Sequence, residues 1–308
     1  MSKRFFAFGC SYTSYSWPTY ATLLGLEYEE SYNWGLTGIG NRAIAERVAE
    51  AHCNYNFGKD DIVIVQWSSH LRNDWWAPGN IRGRNQGWKT GGSVFNYINA
   101  ELYDKKWIET FFYEPAYLMH TLNHILLTQG LLDSTGCTYY MTSIGDIRNM
   151  GEDLREGPGY GEKPFNRVGV DKVVDHAWET IPELRVYQEK IWNQHSDHWL
   201  MPMELFCQQH ADLTFEFIDT NNSSAETFLD IHPTTTQHTL WIEQELTKKL
   251  NISNETISIS KEVGESIDKL QNRMKQDKRA FEHLLARSYQ FPERFIDRIR
   301  WPGMYYGF

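Results

Sequence analysis

Asp61-Ile62-Val63-Ile64-Val65-Gln66-Trp67 is the clearest strand in the chain. Its β-branched, continuously apolar centre leaves no polar face, and a strand of that kind is covered on both sides. Such strands belong to parallel sheets flanked by helices. Working outward, Phe5 to Cys10 is a second short apolar run, ended by Ser11-Tyr12-Thr13-Ser14. Pro18 opens a helical stretch that Gly25 closes. Tyr28 to Asn33 reads as another strand. Asn41 then suits the N-cap of a helix carrying Ile44, Val48 and Ala51.

Downstream of the central run, a helix is expected from about 106 to 132, followed by a strand at Cys137-Thr138-Tyr139-Tyr140-Met141-Thr142. Short helices near 187–195 and 202–210, a fifth strand at Leu213-Thr214-Phe215-Glu216-Phe217-Ile218 and a helix from about 236 to 250 complete the pattern. Strands alternating with helices predict an α/β domain over residues 1–250 with a parallel five-stranded sheet. Two stretches interrupt it. Residues 70–106 and 145–186 are rich in Gly and Pro and read as irregular insertions, the first containing Trp75-Trp76.

The 308 residues carry a formal net charge of −10. That balance argues against a broad basic surface for nucleic acid. No run of eighteen apolar residues is present, so no transmembrane helix is expected. Met1-Ser2-Lys3-Arg4 leads directly into the first strand, with no signal-peptide pattern. Cys10, Cys53, Cys137 and Cys207 form no CxxC pair, and reduced thiols in a cytoplasmic compartment are expected. His120 with His124, and His195 with His198, lack the accompanying residues of a metal motif, so no metal or organic cofactor is expected.

In a doubly wound sheet the ligand crevice lies outside the carboxyl ends of the strands. Ser11, Gly38, Ser69, Ser143, Asp230 and His232 all follow predicted strands, so they are expected on one rim. A serine hydroxyl needs a base in hydrogen-bond reach, and the base needs an orienting group. Ser11, His232 and Asp230 can fill those roles. The N–H groups of Ser11 and Gly38 suit a developing oxyanion, with a side-chain donor from Ser69 or Asn41.

Phe8-Gly9-Cys10-Ser11-Tyr12-Thr13, Asn33-Trp34-Gly35-Leu36-Thr37-Gly38 and Asp230-Ile231-His232-Pro233 together resemble the sequence blocks of the SGNH (GDSL-like) hydrolase superfamily. The resemblance spans about residues 5–69, 107–143 and 213–250. It implies a three-layer flavodoxin-like fold and hydrolysis of esters, often acyl groups on sugars and lipids. It casts Ser11 as nucleophile, Gly38 as second-block oxyanion donor and His232 as base. Three departures stand out. Cys10 replaces the Asp of Gly-Asp-Ser. Trp67-Ser68-Ser69-His70 stands where the family has Gly-x-Asn-Asp, which leaves Asn41 as a substitute donor. Asp230-x-His232 replaces Asp-x-x-His.

The function expected from these residues is an esterase removing an acyl group, such as acetyl, from a carbohydrate. Trp67, Trp75 and Trp76 are candidate substrate platforms. The alternative is a scaffold that keeps the hydrolase fold within a larger assembly such as a virus particle, with the virion as its location. That alternative draws on the tail, residues 251–308. Its Val263, Ile267, Leu270, Met274, Phe281 and Leu284 follow a four-three spacing, and it ends in Trp301-Pro302-Gly303-Met304-Tyr305-Tyr306-Gly307-Phe308. A separate segment that docks or drives oligomerisation is expected there.

Overall fold

The apolar runs at the start of the chain form adjacent strands. Arg4–Phe8 (β1) leads into a short helix, Tyr20–Leu24 (α1), then strand Glu30–Asn33 (β2) and helix Asn41–Tyr55 (α2). The central run is Ile62–Trp67 (β3), buried at every residue as its composition demands. The computed structural model describes residues 4–77, 87–93, 105–111, 113–148, 181–219, 226–288 and 299–300. Most of the second insertion and the aromatic C-terminus, 301–308, lie outside them.

Arg72–Ala77 (β4) and Gly87–Ser93 (β5) pair antiparallel, with Trp76 opposite Trp88 in register. The first insertion, expected to be irregular, is thus built on a hairpin. Its second strand holds Gly87, Gly91 and Gly92, which weaken strand patterning. Helices Lys105–Phe111 (α3) and Glu114–Thr135 (α4) replace the single helix expected here, and Pro115 in the first turn of α4 explains the break. Gly136, at φ +70°, ends α4 and turns the chain into Thr138–Ser143 (β6).

Beyond the second insertion come Pro182–Gln188 (α5), continued by a π-helical turn to Asn193, and Met203–Gln209 (α6). Strands Glu216–Asp219 (β7) and Glu226–Leu229 (β8) follow, then Thr235–Trp241 (α7) with its π-helical extension, Asn254–Arg273 (α8) and Lys278–Ser288 (α9). Ile299–Arg300 (β9) is a two-residue strand.

The chain is mixed α/β. Four parallel strands in the order β6-β3-β1-β2 make the sheet, with Ala7 between Ile64 and Asn33. The two residues of β9 run beside Ser31 and Tyr32 at the β2 edge. The predicted fifth strand is not part of this sheet. β7 pairs antiparallel with β8, Phe217 facing Phe228. The reason is visible in the sequence: Phe215 and Phe217 are buried while Glu216 between them is exposed. That alternation is the mark of a half-solvated antiparallel strand rather than a doubly covered one.

The described part of the tail is helical and docks on the body. One face of α8, with Ile259, Val263 and Ile267, is buried against α7. At Gly264 the helices touch so closely that a Cβ would stand 2.7 Å from Thr236 Oγ1. Phe281 and Leu285 of α9 join the same core, where Phe281 meets the rings of Trp17, Phe215 and Phe217. Val263, Ile267 and Phe281 of the four-three stripe, with the half-buried Leu270 and Met274 against them, therefore pack within the chain.

Candidate active site

The first loop of the site starts at Gly9, directly after β1. A Cβ there would stand 2.1 Å from Thr13 Oγ1 and 3.0 Å from the Gln66 backbone carbonyl. Thr13 and Ser14 both return their N–H groups to the Cys10 carbonyl at 3.0 Å, a tight turn that presents Ser11. The Thr13 hydroxyl is fixed in turn by Gln66 Oε1 at 2.9 Å. Gly9→Ala is expected to destabilise the protein by at least about 2 kcal/mol, because neither contact belongs to a flexible side-chain end. Urea unfolding of the variant against the parent checks this, and an unchanged midpoint would contradict the account of the turn.

The imidazole arrives from the loop after β8. Asp230 donates its N–H to the Phe215 carbonyl at 2.8 Å, so the hairpin sets the start of this loop. Three further hydrogen bonds tie it to the N-terminal segment. Tyr12 Oη donates to the Ile231 carbonyl at 2.9 Å, Trp17 Nε1 to the Pro233 carbonyl at 2.8 Å, and Thr235 Oγ1 to the Pro18 carbonyl at 3.0 Å. Thr234 caps α7 through a capping box with Gln237. Residues 216 to 219 apart in sequence are thereby held together.

The outcome is a continuous relay. His232 Nε2 lies 3.1 Å from Ser11 Oγ, and His232 Nδ1 lies 2.7 Å from Asp230 Oδ1. The unusual spacing of one residue between Asp and His is accommodated simply. Asp230 Oδ1 also accepts the backbone N–H of His232 at 2.9 Å, so one oxygen holds both ends of the residue. Ser11 and Asp230 are buried, whereas the His232 side chain retains 22% of its exposure. Leu229 and Ile231, the neighbours of Asp230 in the chain, are 44% and 46% exposed.

Two residues around the relay had no sequence signal. Lys278 of α9 places Nζ 2.7 Å from Asp230 Oδ2. Tyr15 stacks on His232 with ring centroids 3.8 Å apart and aims its hydroxyl at the same Oδ2, 3.4 Å away. Burial alone would raise the Asp230 pKa. Hydrogen bonds and positive charge from His232 and Lys278 outweigh it and bring the carboxyl down to about 2. Asp230 therefore stays ionised wherever an imidazole base could work. The Tyr15 hydroxyl is pushed well above its ordinary range by burial, then by the charges of Asp230 and Glu282, and acts as a neutral donor.

The Gly38 loop is fastened to the Ser11 loop. Leu36 donates to the Gly9 carbonyl at 2.9 Å, Asn33 Nδ2 to the Thr13 carbonyl at 2.9 Å, and Thr37 Oγ1 to the Ser14 carbonyl at 3.2 Å. Gly38 takes φ +80°, a left-handed conformation that suits glycine. Among the described residues the N–H groups of Ser11 and Gly38 donate to no protein acceptor.

The side-chain donors fare differently. Asn41 is not the N-cap of α2; Gly40 holds that position. Both hydrogens of the Asn41 amide are engaged, by the Ser68 carbonyl at 2.9 Å and Thr121 Oγ1 at 3.1 Å, while its oxygen accepts the Ser68 N–H at 2.7 Å. Asn41 braces the loop after β3 instead of reaching into the site. Ser69 Oγ accepts the Leu71 N–H at 3.2 Å and closes a turn. Trp67 is fully buried, with Nε1 3.4 Å from Met141 Sδ, and belongs to the core rather than to a substrate platform. Trp75 is half-buried and Trp76 is 48% exposed on β4. That strand is joined to the rim by Asp74, whose carboxylate accepts the Gly40 N–H at 2.9 Å.

No described helix is long and apolar enough to cross a membrane. Comparison of the chain with protein-family models, with curated proteins and with solved structures finds no match.

Proposed function

We propose that the chain is a serine hydrolase of SGNH type, with a flavodoxin-like three-layer arrangement, that cleaves an acyl ester. The observation that carries this reading is the relay itself: hydroxyl, imidazole and carboxylate in successive hydrogen bonds at 3.1 and 2.7 Å. His232 Nε2 takes the Ser11 proton as Oγ bonds to the ester carbonyl carbon. The N–H groups of Ser11 and Gly38 hold the resulting oxyanion. When the carbon–oxygen bond to the alcohol breaks, His232 returns the proton to the leaving alcohol. Water then attacks the acyl-serine by the same proton route and regenerates Ser11. Asp230, ionised and fixed on Nδ1, keeps Nε2 the basic nitrogen throughout.

A carbohydrate ester, with acetyl as the acyl group, is the proposed substrate class. The exposed Trp76 offers a flat face for a sugar ring, and the exposed Leu229 and Ile231, next to Asp230 and His232 in the chain, offer apolar surface for the acyl chain. A second reading, a scaffold without turnover in a larger assembly such as a virion, draws on Asn41, whose committed amide leaves the oxyanion to two backbone donors. A fluorophosphonate probe separates the two. Covalent labelling that maps to Ser11 and disappears in Ser11→Ala is the expected result, together with release of a chromogenic acetyl ester's alcohol. An unlabelled wild-type chain with no turnover would leave the scaffold reading standing.

A further inference from the structure

A second cluster of chemically capable side chains lies far from the relay, near the amino end of β6. Asp133, in the last turn of α4, meets His195 and His198 from the segment after α5, and one ligand atom of each lies within 4.8 Å of the others. Neither histidine pair seen in sequence implies a metal by itself, because the carboxylate comes from 62 residues before His195. We propose that Asp133, His195 and His198 bind one divalent ion of the Zn²⁺ class, as a surface site that fastens α4 and β6 to the segment around residues 195–198.

The argument rests on how these ligands are oriented, and one residue orients two of them. His198 Nδ1 lies 2.9 Å from the Tyr139 backbone carbonyl, which accepts its proton and leaves the lone pair on Nε2. The Tyr139 hydroxyl donates to Asp133 Oδ1 at 2.8 Å, leaving Oδ2 for an ion. The His198 ring also stacks on the Tyr139 ring, centroids 4.1 Å apart and nearly parallel. An imidazole whose second nitrogen bonds a backbone carbonyl, beside a carboxylate held by a hydroxyl, is the outer arrangement that sets metal ligands.

The third ligand follows from local geometry. Ser196–His198 is a single 3₁₀ turn, in which side chains three residues apart project on the same side. His195 and His198 rings are 6.0 Å apart. The turn is anchored by Lys249 Nζ on the Asp197 carbonyl at 3.1 Å. The carbonyl end of α4 adds negative potential beside Asp133. Two imidazoles and one carboxylate suit Zn²⁺, with water completing its coordination, and Asp133 is exposed, so an ion enters without opening the fold.

The test uses the full chain and Zn²⁺ alone. Titration calorimetry is expected to give one ion per chain, and saturating Zn²⁺ to raise the unfolding temperature. His195→Ala, which breaks no hydrogen bond described here, is expected to weaken binding by more than about tenfold and cancel the thermal shift. Tyr139→Phe keeps the ring but loses the hydroxyl, and about a tenfold loss is expected. Circular dichroism of both variants without metal serves as the fold control. Absence of Zn²⁺ binding by the wild type, or equal binding by wild type and both variants, would overturn the proposal. Each readout is independent of hydrolase activity, so failure here leaves the Ser11 reading untouched.

Discussion

Asp230→Asn is expected to lower turnover of a chromogenic acetyl ester about 10⁴-fold with the fold retained. An amide in this position no longer enforces the proton on Nδ1, and with its nitrogen in place of Oδ1 it also gives up the bond from the His232 backbone N–H. With Lys278 Nζ 2.7 Å from the outer oxygen, the amide's NH₂ group is also repelled from that side, so its oxygen turns to Lys278 and its nitrogen to the imidazole. His232 then bonds through a deprotonated Nδ1 and has no lone pair at Nε2 for the Ser11 proton. Lys278→Met tests the same chain of contacts from outside: Asp230 keeps its charge but loses its strongest positional restraint, and about tenfold lower turnover is expected. Lys278→Arg should restore most of it. Equal turnover in Asp230→Asn and the parent would show that the relay is not used.

Much of this site was legible because strand ends have strong sequence marks. The continuous apolar run at Ile62–Trp67 set the sheet, and the turn residues after each strand pointed to Ser11, Gly38, Asp230 and His232. What was not legible depends on contacts between distant segments. Asn41 looked like a cap and a donor, yet its amide is used up on Ser68 and Thr121, 27 and 80 residues away. Trp67 looked like a platform because aromatic residues serve both cores and ligands, and only burial separates the two. Lys278 carries no local pattern at all; its role exists because Phe281 and the stripe on α8 fold the tail back onto the body.

His238→Leu is expected to change the acid response of the protein by about 3 kcal/mol between pH 6.5 and pH 4. His238 is wholly buried on α7, and neither ring nitrogen has a partner among the described residues. Burial, aided by the charge of His232, brings its pKa down to about 3. The unfolded chain takes up a proton near pH 6.5 and the native chain does not, so stability present above that pH is lost as pH falls. Asp74 works in the opposite sense. Burial raises it to about 6 despite the Gly40 N–H on its carboxylate. The native chain therefore protonates Asp74 before the unfolded chain does, and its contribution to stability grows as pH falls from about 6 to 4. In the parent the two trends oppose each other over that interval. His238→Leu leaves the Asp74 trend unopposed, so unfolding midpoints in urea at pH 6, 5 and 4 should rise relative to the parent. Parallel curves for the two proteins would contradict the assignment of a neutral His238.

The docking of α9 on the loop that carries Asp230 has a bearing on biosynthesis. Ser11 is synthesised more than two hundred residues ahead of Asp230 and His232. A nascent chain halted before residue 278 already holds all three members of the relay but lacks the cation that clamps their carboxylate. On the proposed reading, synthesis through α9 therefore sets when the relay is complete, and chains truncated before residue 278 should turn over esters poorly even where they are compact.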